Sequence, residues 1–377
     1  MIVFTSICAN YAHKARILAR SVHRHIPDAV FVLCLTEREV PTAIAEEKAF
    51  DRVVLSRNIW EGNFERFIFK HDIVEASTAV KGAFFRWLQQ EYSNEKAFVY
   101  LDPDCCVYSD FPEVREALKE KPAVLCPHLL HPGNIDMELS STAHGVYNLG
   151  FLAVNNSPEA WRLIDWWAER LYLYCFDDIP RGIFTDQKWM ELAPCFFDVK
   201  ILRHYGYDLA PWNLQNTQIR HLKGDDWLIQ GQPLRFGHFS GFGQVAEQCM
   251  SKWLSRDSSD YLTLYAEYAR QHSEMNADHV SEIPWSYAVY DSGEPISRNV
   301  RTKYRENWEV MFAQEDPFAK SNQYFEEKLG IQPEGQSSRH VGRLLAKKMR
   351  TARRVMKEQG MNGILKVLQD KARRDVP

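Results

Sequence analysis

With 377 residues, 45% hydrophobic and 25% charged, and with 21 Phe, 16 Tyr and 11 Trp, the chain has ample material for a core, which excludes disorder. The net charge of −4 is unevenly placed: residues 339–377 hold twelve Lys and Arg against three Asp and Glu, a net of +9, which leaves −13 on residues 1–338. An acidic body repels phosphate and argues against a nucleic-acid partner. The eight cysteines show no C-x-x-C spacing and read as reduced core residues; adjacent Cys105 and Cys106 would point to opposite faces of a strand.

Ile2-Val3-Phe4-Thr5 reads as a strand, and Ala15, Leu18, Ala19 and Val22 recur at helical spacing after Asn10-Tyr11. Val30 to Leu35 is an unbroken apolar run suited to a strand buried on both faces, so the opening reads strand, helix, strand, and a parallel α/β sheet follows. Val53-Val54-Leu55 predicts another strand, Ile73 to Tyr92 a single helix, and Ala97 to Leu101 a buried strand that ends in Asp102-Pro103-Asp104. Val124-Leu125-Cys126 predicts a strand, and Pro127 to Thr142, which lacks periodicity, a mobile loop. Tyr147 to Asn155 resumes strand character. Pro158 to Tyr174 predicts an amphipathic helix whose Trp161, Trp166 and Trp167 fill the core, and Thr185 to Leu192 a short capped helix.

From Asp198 to Trp212 and from Leu234 to Phe242 short strands alternate with loops, and Val245 to Tyr268 is largely helical. Beyond 339, Val341, Leu344, Leu345, Met349, Ala352, Val355 and Met356 form one helical stripe ringed by Lys347, Lys348, Arg350, Arg353, Arg354 and Lys357. Such a cationic amphipathic segment fits the surface of an anionic membrane. Met1 to Phe4 is too short for the apolar core of a signal peptide, and no apolar run of about 18 residues occurs. The expected location is cytoplasmic, peripheral on the inner face of the cell membrane.

The acidic pair carries the chemistry. Two Asp separated by one residue at a strand end can present both carboxylates to a hard ion, Mn²⁺ or Mg²⁺, at the sheet edge where α/β ligands collect. Such an ion neutralises charge growing on a diphosphate leaving group. Alone, Asp-x-Asp is equally a solvated turn.

In order along the chain, Ile2-Val3-Phe4-Thr5 through Asn10-Tyr11 to Ser21-Val22, Val99-Tyr100-Leu101-Asp102-Pro103-Asp104, Tyr147-Asn148-Leu149-Gly150-Phe151, Thr185-Asp186-Gln187 and His238-Phe239-Ser240-Gly241 resemble the glycosyltransferase family 8 group of the GT-A fold, whose members include lipopolysaccharide galactosyl- and glucosyltransferases. The resemblance covers about residues 1 to 245. It implies a Rossmann-like nucleotide-diphospho-sugar transferase with a mixed α/β sheet flanked by helices. The expected organisation is a catalytic domain over 1–270, a C-terminal helical subdomain over 271–335 and a basic amphipathic tail over 336–377.

Carried across, Asp102, Asp104 and His238 would be metal ligands. Thr5, Asn10 and Tyr11 would hold the nucleotide, with Tyr11 on the nucleobase, and Asn148, Asp186 and Gln187 would face the donor sugar as catalytic candidates. Lys81, or Arg86 further along the same helix, would lie near the donor phosphates. Two departures stand out: Gly241-Phe242-Gly243-Gln244 lacks the lysine that follows the family's late histidine, and proline separates the two aspartates.

The implied reaction is metal-dependent hexosyl transfer from a nucleotide-diphosphate sugar, of the UDP type, to a glycan or lipid-linked glycan acceptor in bacterial surface polysaccharide synthesis, with retention of configuration. An inverting enzyme would need a general base, for which Asp186 is the candidate. Read alone, His238 is equally a core-edge histidine, Tyr11 a helix-entry aromatic, Asn148 an Asx-turn residue and Asp186 a helix cap. The alternative readings are a sugar nucleotidyltransferase, against which stands Asn10-Tyr11-Ala12 where a glycine-rich phosphate loop would be, and a silent glycan-binding scaffold.

Overall fold

Residues Ile2–Ile7 are all buried, the polar Thr5 and Ser6 included, and this largely apolar run forms the middle of the sheet rather than an edge. The structure, a computed structural model, describes residues 1–331. The basic tail over 336–377 therefore lies outside the described residues, as do the last residues of the expected 271–335 subdomain.

In chain order, β1 (Ile2–Ile7) leads to α1 (Ala12–His25), β2 (Val30–Leu35), α2 (Thr42–Ala45), β3 (Arg52–Leu55), α3 (Phe64–Phe69), α4 (Ile73–Ala79) and α5 (Lys81–Glu91). There follow β4 (Ala97–Leu101), β5 (Cys105–Val107), α6 (Pro112–Ala117), β6 (Ala123–Pro127), α7 (Ile135–His144), β7 (Tyr147–Asn155) and α8 (Pro158–Tyr174). A small hairpin of β8 (Asp177–Asp178) and β9 (Ile183–Phe184) precedes α9 (Ala193–Phe196) and β10 (Lys200–Ile201). A meander of β11 (Ile219–Lys223), β12 (Asp226–Ile229) and β13 (Gln232–Pro233) then leads to β14 (Phe236–His238), α10 (Gln244–Trp253) and α11 (Tyr261–Met275).

The main sheet has seven strands in the order β10-β6-β7-β4-β1-β2-β3. Strand β1 pairs parallel with β2 and β4, β2 with β3, and β10 with β6, whereas β7 runs against both β4 and β6. This is the mixed α/β sheet flanked by helices that the GT-A reading expects. The reversal of β7 positions the site. Its first residues, not its last, reach the edge where β4 and β6 end, with Phe151 opposite Leu101 and Asn148 opposite Cys126. Pairing with β6 slips between Leu125 and Cys126, an irregularity that twists β7 beside Gly150. Behind the sheet Phe4 packs on Phe84, Phe85 and Tyr100 with ring centroids 5.2, 4.7 and 5.1 Å away.

Five expectations change. The single helix over 73–92 is two, because Thr78 Oγ1 donates back to the Val74 and Glu75 carbonyls and Val80 serves as the end of α4 and the start of α5. The loop over 127–142 contains α7, capped by Asn134; with no fully buried residue, this helix leaves no apolar period to read. The segment 185–192 starts on Thr185 with φ 42°, a turn, and becomes a 3₁₀ helix only from Lys188. Residues 245–268 divide into α10 and the start of α11. Trp161 and Trp167 are core residues as expected, but Trp166 is only half-buried. All eight cysteines are free and six are buried.

A second compact unit, 296–313 with 320 onward, contributes α12 (Arg298–Glu306), α13 (Trp308–Phe312) and α14 (Asn322–Leu329) to the described residues. Its α12 and α14 are joined by Tyr304 packing edge-on against Phe325 at 5.5 Å.

Candidate active site

Asp102 follows the last residue of β4, and its N–H donates to the Gly150 carbonyl at 2.8 Å, so the sheet ladder fixes where it emerges. The Cys105 N–H then donates to the Asp102 carbonyl at 3.0 Å, closing a tight turn with Pro103 in its second position. Proline sets φ there and restricts the backbone between the two carboxylates. The unusual proline is therefore a stiffener of the acidic pair.

After the turn, β5 pairs antiparallel with β14 and sets His238 opposite Cys105. The His238 Nε2 lies 3.2 Å from Asp104 Oδ1 and 3.7 Å from Asp102 Oδ2. One ligand atom from each of the three lies within 4.8 Å of the other two. The opposite ring nitrogen, Nδ1, is 3.1 Å from the fully buried Asp208, whose Oδ1 also accepts from Asn148 Nδ2 at 3.0 Å. Burial works against the charged imidazole, but Asp104 and Asp208 outweigh it and raise His238 to about 10. Asp104 moves the other way: burial opposes its charge, yet His238 and Lys14 hold it well below the usual carboxylate range.

Two carboxylates and an imidazole, braced from behind by a carboxylate, suit a divalent cation of the Mn²⁺ kind. The space is kept by Gly150, where a Cβ would stand 2.5 Å from His238 Cε1 and 3.0 Å from Asp102 Oδ2. These residues fit the metal that the acidic motif implies.

Beneath the cluster lies Lys81, at the first position of α5 and 1% exposed. Its three protons are all engaged, by Asp186 Oδ2 at 2.8 Å, the Leu149 carbonyl at 3.2 Å and Asp102 Oδ1 at 3.3 Å. Burial disfavours the ammonium, but Asp102 and Asp186 more than restore it, so the lysine stays charged. Tyr100 Oη donates to the same Asp102 oxygen at 2.6 Å. Asp186 is buried, which raises its carboxyl despite the Lys81 contact.

The neighbouring amides are equally engaged. Gln187 accepts from Leu149 N–H and donates to the His144 carbonyl, both at 3.0 Å, tying β7 to α7. Asn148 accepts from the Gly150 N–H at 2.6 Å.

Two clefts meet at Asp102. The larger, about 420 Å³, is lined by Lys81, Asn148, Asp186, Gln187 and His238, with α7 and Trp212 as walls. The smaller, about 140 Å³, lies between Asn10, Tyr11, Thr78 and the Asp102-Pro103-Asp104 turn. Tyr11 is 39% exposed, and Lys14 Nζ sits 4.2 Å from its ring centroid and 3.8 Å from Asp104 Oδ2.

Thus the structure gathers Asp102, His238, Lys81, Asn148, Asp186 and Gln187 around one cleft and Asp104, Asn10 and Tyr11 around its neighbour, with Asp102 at the junction. It does not bring Thr5 there: Thr5 is fully buried, and the next residue, Ser6, lines the smaller cleft. Arg86 faces outward to Asp165 at 2.6 Å. Sequence reasoning missed Asp208, Lys14 and Tyr100. Asp208 adopts φ 60° in a loop without a motif, Lys14 lies one helical turn past Tyr11, and Tyr100 looks like any strand aromatic.

No known family model matches the chain. By sequence it is similar to two proteins of Bacillus subtilis (strain 168): the uncharacterized protein YfnD, 23% identical over 262 residues, which are 65% of this chain and 78% of that protein, and the uncharacterized protein YfnF, 26% identical over 156 residues, 39% of this chain and 50% of that protein. Among solved structures it is similar to the galactosyltransferase LgtC in complex with donor and acceptor sugar analogs, at 14% identity and a TM-score of 0.43, covering 73% of this chain and 96% of that one.

Proposed function

We propose that the chain is a metal-dependent glycosyltransferase that moves a hexose from a nucleotide-diphosphate sugar, of the UDP type, to a glycan acceptor. The observation that carries this reading is the convergence of Asp102, Asp104 and His238 at the junction of two clefts, beside a glycine whose missing side chain leaves room for an ion. Held there, Mn²⁺ or Mg²⁺ would neutralise charge on the departing diphosphate.

The chain's own residues divide the remaining work. Tyr11 and Asn10 border the smaller cleft, which suits a nucleoside with its base against the exposed tyrosine ring. The larger cleft takes the sugar and the acceptor hydroxyl. Lys81 bridges Asp102 and Asp186, and Asp208 turns His238 so that Nε2 faces the acidic pair.

A retaining outcome is favoured by the state of Asp186. Its two oxygens are engaged by Lys81 and by the Thr185 hydroxyl, so it is poorly placed to accept a proton from an acceptor as an inverting enzyme would need. The basic stripe over 341–357 would carry the protein to the anionic inner face of the cell membrane, where a lipid-linked glycan of surface polysaccharide synthesis is the fitting acceptor. Among the described residues no helix is long and apolar enough to cross a membrane.

Incubating the chain with Mn²⁺ and a panel of nucleotide sugars tests the proposal. Nucleotide release that disappears on chelation and in Asp102→Asn and Asp104→Asn is expected. Release that survives in either variant, or none with any donor and acceptor extract, would sink it. NMR of the product anomer decides retention.

A further inference from the structure

The outward faces of α5 and α8, with residues 59–61, enclose a second cleft of about 440 Å³, as large as the one at the acidic cluster. On α5 it uses Ala83, Arg86, Trp87 and Gln90, the side of the helix turned away from Lys81, Phe84, Phe85 and Leu88, which face the core. On α8 it uses Asp165, Trp166 and Tyr172, opposite the buried Leu163, Ile164, Trp167 and Leu171. It is a separate place from the catalytic cleft.

Its walls are Trp60, Trp87, Trp166 and Tyr172, all half-buried, over a floor of small residues, Ala79, Ala83 and Ala168. The helices come this close because Gly82 abuts Ala168, where a Cβ would stand 2.6 Å from the Ala168 Cα. The aromatic rings are braced from behind. Trp60 stacks on Phe67 at 3.8 Å and lies near-parallel to Tyr172 at 6.2 Å; Trp87 is held by Phe84 at 5.1 Å, and Trp166 by Phe196 at 5.7 Å. Rigid aromatic platforms lose little entropy on binding.

The polar groups at this cleft are of the kind that grip hydroxyls. Arg86 and Asp165 form an ion pair at 2.6 Å on the rim, and Gln90 adds an exposed amide. Glu61, Asp165 and Glu169 against Arg86 leave the lining net negative, which disfavours phosphorylated or acidic ligands. Flat apolar faces combined with planar donors and acceptors match a pyranose, which offers C–H surfaces above and below its ring and hydroxyls around it.

We propose that this cleft is a binding site for a neutral oligosaccharide, separate from the catalytic cleft. Binding does not depend on the transfer reaction; only the identity of the oligosaccharide as the acceptor chain rests on the proposed function. Held here, a growing glycan would stay attached between successive encounters with the catalytic cleft.

The test uses the full chain carrying Asp102→Asn and Asp104→Asn, which removes the metal-dependent site, titrated with a panel of neutral linear hexasaccharides of glucose, galactose and mannose while tryptophan fluorescence and heat are followed. At least one hexasaccharide is expected to bind. Adding Trp87→Ala or Trp166→Ala should weaken it about tenfold or more, the loss of one stacking platform, while Trp166→Phe retains most of the affinity. Circular dichroism and melting temperature establish that the variants fold. No binding by any hexasaccharide, or binding untouched by both alanine variants, overturns the proposal. Binding here, together with no nucleotide release from any donor by the unsubstituted chain, would leave this site standing and remove the transferase reading instead.

Discussion

The Asp208 carboxylate meets His238 at Nδ1, 3.1 Å away, on the side of the ring opposite the nitrogen that faces Asp102 and Asp104. Asp208 touches neither member of the acidic pair through the hydrogen bonds it makes, so it would act on a bound cation through the imidazole, whose orientation and charge it influences. Replacing it with Ala should weaken Mn²⁺ binding by roughly 10- to 100-fold, the usual scale for a carboxylate behind a metal-bound histidine. Asp208→Asn, which keeps an acceptor for the ring, should recover part of that loss. Electron paramagnetic resonance of free Mn²⁺ reads both; equal affinity in all three proteins would leave Asp208 without this role.

Gly150→Ala offers a sharper probe of the same space. The added methyl group would stand 2.5 Å from His238 Cε1 and 2.8 Å from Asn148 Oδ1, closer than atoms normally come. The strand is buried, tied to the β4 side at Gly150 and paired with β6 before and after it, so the ring or the carboxylate is expected to move. Loss of Mn²⁺ binding with a cooperative unfolding transition is the expected result. Native affinity in a folded Gly150→Ala protein would mean that the cation sits elsewhere.

Lys81 sits between two carboxylates, the buried Asp186 and Asp102 at the junction of the two clefts. Lys81→Met removes the one positive charge that both Asp102 and Asp186 contact and should destabilise the fold by about 3–5 kcal/mol, the cost of leaving buried charge unpaired. Adding Asp186→Leu should recover a large share, since the orphaned carboxylate is gone, and the double variant would then show strong coupling in a urea denaturation cycle. Additive losses would indicate that the lysine merely fills space.

A different pair sets an acid limit. His13 and His272 face each other with Nε2 atoms 2.9 Å apart, one donating and one accepting, so the accepting ring is neutral and the two cannot both be charged without breaking the contact. Burial, with His272 and Lys14 adding to it, pushes His13 down to about 4, and burial likewise lowers His272. The unfolded chain therefore takes up protons near the ordinary histidine value of about 6.5 while the folded chain does not. Stability from this pair is complete above that value and falls as pH drops from about 6.5 toward 4. Melting temperatures across this range should decline, and His13→Gln/His272→Gln should flatten the decline; an unchanged slope would place the acid sensitivity in other groups.

Elements that bury both faces could be read from the chain, because a run such as Val30–Leu35 or Ala97–Leu101 has one interpretation once its length is short. The bounds of α8 were legible too, with Ser157 capping it and Pro158 at its first position. What escaped was set by distant partners. Helix α7 carries no core stripe, the break at Val80 depends on hydroxyls bonding backward, and Asp208 becomes recognisable only when β14 brings His238 beside it. Of the candidate residues, those flanking strand ends were placed by the sheet, whereas Thr5 turned inward because strand side chains alternate and Ser6 took the outward position.

Because β7 runs against its neighbours and β14 arrives through a separate pairing with β5, the three candidate ligands and the glycine between them come together only when widely separated stretches of chain have all docked. A half-assembled sheet holds two lone aspartates and no coordinating nitrogen. The cation would accordingly favour the completed chain over every earlier species, so its capture in a refolding experiment would mark the closing moment of folding rather than its beginning.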